Sequence, residues 1–89
     1  MEITSKANSF RRPNMQVART YERSWNEIES MLESAEDKRR EWQMFFERAK
    51  RINNRQAMKD AARNCKALEG VIKTLRWTLG EQGIETPLE

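Results

Sequence analysis

The chain has 89 residues, of which 37% are hydrophobic and 35% are charged, and its net charge is +3. It contains no histidine and one cysteine, Cys65, so we expect a non-enzymatic protein without cofactor or metal and without an intrachain disulfide. No secretory signal and no apolar run approaching twenty residues is present, which predicts a cytoplasmic protein that does not enter the membrane.

The N-terminal residues 1–12 show no apolar period and are rich in basic side chains, which predicts a flexible basic arm. Pro13 and Asn14 follow. Proline tolerates the first helical turn, and asparagine can cap free backbone N–H groups. These signals predict a long first helix over about residues 14–52, at the start of a hairpin domain that spans residues 13–80.

Apolar residues along the predicted first helix follow the three-four spacing of a coiled-coil seam. The seam comprises Ala18, Tyr21, Trp25, Ile28, Leu32, Ala35, Trp42, Phe46 and Ala49. Met31, Phe45 and Ile52 lie beside it and widen the stripe, as expected for a helix that meets more than one neighbour. Arg39 interrupts the seam, and we expect it to pair with an acid such as Glu69 or to reach solvent, and to set the register of the two helices rather than to bind a ligand.

A second apolar seam starts out of phase with the first, after Asn53 and Asn54. It comprises Met58, Ala61, Cys65, Leu68, Ile72, Leu75 and Leu79. Asparagine tolerates the left-handed conformation that ends a helix, and Asn54 can cap the next one. We therefore predict an all-α antiparallel helical hairpin with coiled-coil-like packing. Its shorter second helix covers about residues 54–79 and stops at Gly80, and residues 81–89 form a short acidic tail.

The predicted first helix is longer than the second, roughly 58 Å against roughly 39 Å at 1.5 Å per residue. Its N-terminal end would therefore extend past its partner and leave Tyr21 and Trp25 without a cover, with Ile28 at the margin. Three covers are open: a second copy, a host protein, or the chain's own arm or tail. A homodimer that packs into a four-helix bundle is the expected solution, because a two-fold axis would bury both ends at once.

A row of cations occupies the outer side of the predicted second helix, opposite its seam. This basic stripe comprises Lys59, Arg63, Lys66 and Lys73. Such a row could follow a phosphate backbone, with Trp77 stacking on bases at one end. The alternatives are a solvated face that keeps the protein soluble, and a Trp77 that packs on a partner protein or a dimer mate.

The segment "CKALEGVIKTLRWTLG", together with the ending "TPLE", resembles the C-terminal part of short uncharacterised accessory proteins of temperate enterobacterial phages. This resemblance implies a product that binds host replication, recombination or defence machinery. The expected function is therefore a helical interaction protein that binds and modulates a host protein, with Tyr21, Trp25, Ile28 and Trp77 at its contact surfaces. A small nucleic-acid-binding module that uses the basic stripe is the alternative, and a structural scaffold subunit is a third class.

Overall fold

A computed structural model of the chain describes residues 17–89. Two helices account for its regular structure: α1, Trp25–Arg51, and α2, Arg55–Thr78. They pack against each other along their lengths, and residues early in α1 meet residues late in α2. The predicted all-α antiparallel hairpin is confirmed. Within the described residues, neither helix is long and apolar enough to cross a membrane.

The first helix begins later than predicted, at Trp25. Ser24 is its N-cap: the Ser24 hydroxyl accepts the backbone N–H of Glu27 at 3.1 Å, and the Glu27 carboxylate accepts the backbone N–H of Ser24 at 2.8 Å. This reciprocal capping box satisfies donors that a longer helix would have used internally. Tyr21, four residues before Trp25, lies in the left-handed region at φ 57°, which no continuous α-helix permits.

The expectation of an overhanging first helix is therefore wrong. Residues 17–24 are not helical, and residues 14–16 lie outside the described part of the chain. With 27 and 24 residues, α1 and α2 are about 40 Å and about 36 Å long. The two helices are nearly matched, and the seam through Ala18 and Tyr21 that the spacing predicted does not exist as a helical surface.

The turn between the helices forms where the two asparagines predicted it. Asn53 adopts φ 61°, and its N–H donates to the Lys50 carbonyl at 3.1 Å while the N–H of Asn54 donates to the Ala49 carbonyl at 2.9 Å. These two bonds define a Schellman motif that satisfies the last carbonyls of α1. Asn54 then caps α2, because its side chain accepts the backbone N–H of Ala57 at 3.1 Å.

The second helix ends by the same device. Gly80 has φ 78°, its N–H donates to the Trp77 carbonyl at 2.9 Å, and the N–H of Glu81 donates to the Arg76 carbonyl at 3.0 Å. Glycine adopts this conformation without a steric penalty, so the predicted stop at Gly80 is confirmed. The residues that follow turn back along the hairpin, and Ile84 is half-buried beside Ile72.

The core of the hairpin is small. Four side chains of the described chain are buried: Ala35 and Ala49 from α1, and Ala61 and Ile72 from α2. All four lie on the predicted seams, and three are alanines, so the helices approach closely but bury few large side chains. Such a core supplies little of the apolar stabilisation that a domain of this size needs.

Ion pairs join the helices along one broad side of the hairpin. Arg39 pairs with Glu69 at 3.2 Å, as predicted, and Arg76 pairs with Glu36 at 2.8 Å. Arg76 also lies 3.8 Å from Glu81 of the tail. We call this side, which also carries Ile84, the polar face. It fixes which residues of α1 and α2 share a level along the hairpin axis.

Candidate interaction surfaces

Two large aromatic side chains at the start of α1 are exposed to solvent, one just before the helix and one at its first position. Tyr21 is 86% exposed and Trp25 is 66% exposed, and Val17 is also exposed. We call these three the aromatic segment. Leu88 of the tail is exposed and Ile84 lies on the polar face, so neither of these tail residues covers the aromatic segment. The predicted arm, residues 1–12, lies outside the described residues.

Ile28 was expected on one seam with Tyr21 and Trp25, and the structure separates it from them. It is half-buried and lines a groove of about 670 Å³ together with Met31 and Leu75. Most of the groove lining comes from α1 and the residues just before it, and Leu75 is the one contribution of α2. Tyr21 and Trp25 are exposed and Ile28 is half-buried, so the three predicted residues do not form one exposed seam.

A charged cluster fixes the start of α1 beside the aromatic segment. The backbone N–H of Ser24 donates to the Glu27 carboxylate, and this bond, assisted by Arg23 at 3.4 Å, lowers the pKa of Glu27 below its ordinary value of 4.5. The carboxylate also lies in the first turn of a helix, where negative charge is favoured. The ionised Glu27 carboxylate therefore helps to hold the first turn of α1, where Trp25 lies.

The basic stripe lies where helical periodicity placed it, on the side of α2 away from Ala61 and Ile72. Lys59, Arg63 and Lys66 are exposed, whereas Lys73 is half-buried and lines a groove on the polar face. Two cations have acidic neighbours: Arg63 lies 3.9 Å from Asp60, and Lys66 lies 3.8 Å from Glu69. Trp77 is 47% exposed near the end of the stripe, as the sequence predicted.

Opposite the polar face, the hairpin carries a broad surface with exposed large apolar side chains. Met31 and Phe45 of α1 and its C-cap Ile52 share one heptad position, with Lys38 between the first two, and all three are exposed, as is Val71 of α2. Helical periodicity and the register of the ion pairs place them on one side, with the half-buried groove residues between the helices. We call this surface the apolar face. Sequence reasoning noted its α1 half but missed its α2 half.

The centre of the apolar face is an aromatic pair on α1. Trp42 and Phe45 pack edge to face with ring centroids 5.6 Å apart, a favourable arrangement for aromatic rings. The guanidinium of Arg48 lies 5.8 Å from the centroid of the Phe45 ring, within the range of a cation–π contact. These contacts hold Phe45 in place at the surface of the isolated hairpin without burying it.

Comparison with known proteins adds no functional assignment. No family model, curated protein or solved structure matches the chain. Among residues 17–89, no group of three or more carboxylate or thiol side chains is placed to hold a metal ion.

Proposed function

We propose that the protein is a non-catalytic helical interaction protein that binds another protein through its aromatic segment. The observation that carries this proposal is the exposure of Tyr21 and Trp25 at the start of α1. Both side chains have a large apolar body and a polar tip, and tyrosine and tryptophan are the residues most enriched at the energetic centres of protein interfaces.

The apolar area that Tyr21 and Trp25 would bury in a complex supports the proposed role in protein binding. An aromatic side chain buries about 150–250 Å² when covered, and apolar burial contributes roughly 25 cal/mol per Å². Burial of the apolar surface of Tyr21 and Trp25 by a partner would therefore contribute several kcal/mol to binding. Tyr21 also holds a left-handed backbone, which costs a non-glycine residue about 1–2 kcal/mol. Backbone strain of this kind clusters at ligand-binding sites.

The class of partner follows from the resemblance of residues 65–80 to accessory proteins of temperate enterobacterial phages. A product of that kind acts on host replication, recombination or defence machinery, so we expect a host protein in the bacterial cytoplasm. The capping box at Ser24 and Glu27 supports this role, because it holds Trp25 on the rigid first turn of α1 while Tyr21 stays outside the helix.

Affinity capture from an enterobacterial lysate, with nuclease present and quantification by mass spectrometry, tests the proposal. Tyr21→Ala and Trp25→Ala should each lower recovery of the same host protein at least about tenfold, the equivalent of about 1.4 kcal/mol. Trp77→Ala tests the second predicted contact in the same assay. Leu88→Ala is the matched control, since Leu88 is 91% exposed but distant in sequence. Equal recovery with all variants would refute a role for the aromatic segment.

The second candidate function is nucleic-acid binding by the basic stripe. It is supported by the exposure of Lys59, Arg63 and Lys66 along one side of α2. Each phosphate contact should add about −0.9 to the slope of log affinity against log salt on duplex DNA, so four contacts would produce a steep salt dependence. The acidic neighbours of Arg63 and Lys66 weigh against this function, because they compensate part of the positive charge.

A gel-shift titration separates the two functions. Under the nucleic-acid reading, Lys66→Glu combined with Lys73→Glu should abolish a salt-sensitive shift without loss of helicity. Arg40→Glu combined with Lys50→Glu changes the net charge equally, but on α1, and should retain most of the shift. If the parent protein produces no shift at low salt, the stripe is a solvated face.

A further inference from the structure

We propose that a second copy of this chain covers the apolar face. In the resulting dimer the two-fold axis runs parallel to the helices, so that α1 of each copy packs against α2 of the other. The product is a four-helix bundle in which all neighbouring helices are antiparallel. This pairing uses a surface different from the aromatic segment and does not depend on any host protein.

The hairpin by itself leaves several large apolar side chains exposed to solvent. Its buried core consists of three alanines and one isoleucine, whereas Met31 is 57% exposed and Ile52 is 73% exposed. The opposite side carries the interhelical ion pairs and Ile84 of the tail, and its groove is lined mainly by charged side chains. The apolar face is therefore the side on which a larger core can still be built.

The size of the apolar face fits a stable dimer. Helices about 36–40 Å long that lie 8–10 Å apart present a surface roughly 20 Å wide. Its area is about 700–800 Å² by these dimensions, close to the roughly 800 Å² per partner of a standard protein interface. A small peptide or ligand would leave most of this area uncovered.

The apolar face is complementary to itself in shape. The row that runs along α1 to its C-cap has large side chains, and the row beside it on α2 has smaller ones, also spaced by seven residues. The first row is Met31, Lys38, Phe45 and Ile52, and the second is Ala57, Asn64, Val71 and Thr78. A two-fold axis parallel to the helices sets the large row of one copy against the small row of the other, an alternation that packs well. An axis across the helices would instead oppose two large rows.

Lys38 is the one charged residue of the large row, and its position is compatible with the proposed interface. Its amine lies 3.6 Å from the Glu41 carboxylate, towards the outer edge of α1. The charged tip can remain in solvent at the edge of an interface while the aliphatic stem lies along the apolar surface. The row therefore keeps an apolar character along its length.

Charges at the rim are also complementary across the proposed interface. Arg48 lies on the outer edge of α1, and Asp60 lies on the outer edge of α2. The register that the Arg39–Glu69 pair defines places these two residues at nearly the same level along the hairpin axis. Within one chain the two helices separate them, and the nearest basic partner of Asp60 is Arg63 at 3.9 Å. The two-fold axis places Arg48 beside Asp60 of the second copy, which should steer the pairing.

Sedimentation velocity over a concentration series tests the proposal with a matched pair of variants. The parent chain of 10.6 kDa should sediment as a dimer of about 21 kDa. Met31→Glu should weaken dimerisation at least about tenfold, because it introduces a carboxylate into an apolar interface. Met44→Glu makes the same chemical change at a similar exposure, 62% against 57%, on the outer side of α1, and should leave the dimer intact. A monomeric parent, or equal effects of the two changes, would overturn the proposal.

A charge swap tests the direction of the two-fold axis. Arg48→Asp and Asp60→Arg should each weaken the dimer, and the double variant should restore it. A dimer that the double variant does not restore would overturn the parallel axis. Circular dichroism controls for folding: if Met31→Glu loses helicity, Val71→Glu on α2 replaces it, with the same expected loss of dimer. A Val71→Glu variant that stays dimeric would contradict the interface.

Discussion

Replacing Arg39 with methionine is expected to stabilise the hairpin. Arg39 occupies a seam position between the helices, where its guanidinium reaches Glu69 at 3.2 Å. The Nε atom of the same guanidinium is shielded from solvent and has no hydrogen-bond partner. Methionine is apolar and flexible enough to fill the same volume, and it carries no donor that needs an acceptor.

The magnitude follows from two opposing contributions. The Arg39 and Glu69 side chains are 39% and 44% exposed, so their ion pair is screened by solvent and contributes only about 0–1 kcal/mol. An unsatisfied shielded donor costs about 1–3 kcal/mol. The difference favours the Arg39→Met variant by about 1 kcal/mol, which corresponds to a rise of roughly 4–8 °C in Tm for a domain of this size.

Urea unfolding followed by circular dichroism measures the change, with parent and variant at equal protein concentration so that any dimerisation contributes alike. Arg40→Met is the matched control: Arg40 is the neighbouring residue and is largely exposed, and it pairs with Asp37 within α1. Its replacement should change the free energy of unfolding by less than about 0.5 kcal/mol. A loss of more than about 1 kcal/mol in Arg39→Met would refute the reasoning, because the ion pair would then contribute more than its exposure allows.

Three further predictions concern the caps and the outer surface. Asn53→Ala should lower the free energy of unfolding by about 1 kcal/mol in thermal melts, because alanine at a φ of 61° carries a Cβ but has no side-chain group that can hydrogen-bond locally. Asn53→Gly should cause no loss in the same melts. Because the pKa of Glu27 is lowered in the folded state, the stability that its carboxylate contributes is present above pH 4.5 and is lost as the pH falls through the folded-state pKa. Thermal melts of Glu27→Gln at a series of pH values should lack this pH-dependent loss of stability. Gly70→Ala should stabilise α2 by about 0.5–1 kcal/mol in urea unfolding, since a Cβ at position 70 meets no atom within 4 Å. A loss of stability would indicate a neighbour packed closely against Gly70.

The parts of the fold that sequence reasoning predicted correctly are specified by local chemistry. Asn53, Asn54 and Gly80 each act through their own backbone preference and their nearest neighbours along the chain, so a single sequence suffices to place the turn and the stop. The pairing of Arg39 with Glu69 followed from the position of that turn, because two helices joined by a short loop have little freedom in register.

The start of α1 was misplaced because two local signals compete there. The three-four spacing of Ala18, Tyr21 and Trp25 predicts a helix, whereas Ser24 followed by Glu27 is a capping box that begins one. The box prevails in the structure, since it satisfies free N–H groups that the spacing pattern does not address. The serine and glutamate spacing was visible in the sequence and would have located the start.

The α2 half of the apolar face carried no signal that hydrophobicity alone could reveal. Ala57, Asn64 and Thr78 are small or polar, and Val71 is the one strongly apolar residue of this row. Their relevance appears once the hairpin register sets them beside Met31, Phe45 and Ile52 of α1. A surface formed by two helices is a property of their pairing, so it emerges only after the turn and the ion pairs fix which residues share a level.

The two proposed surfaces act together if the two-fold axis runs along the bundle. This axis keeps both α1 helices parallel, so the Trp25 residues of both copies lie at the same end of the dimer. A host protein that is itself multimeric, or that is immobilised, could then engage two aromatic segments at once, and linked binding can exceed the single-site affinity by about 10²–10⁴-fold. The monomeric Met31→Glu variant should therefore capture such a partner more weakly than the parent, although its Trp25 is unchanged. Equal capture by Met31→Glu and the parent would show that each segment binds alone.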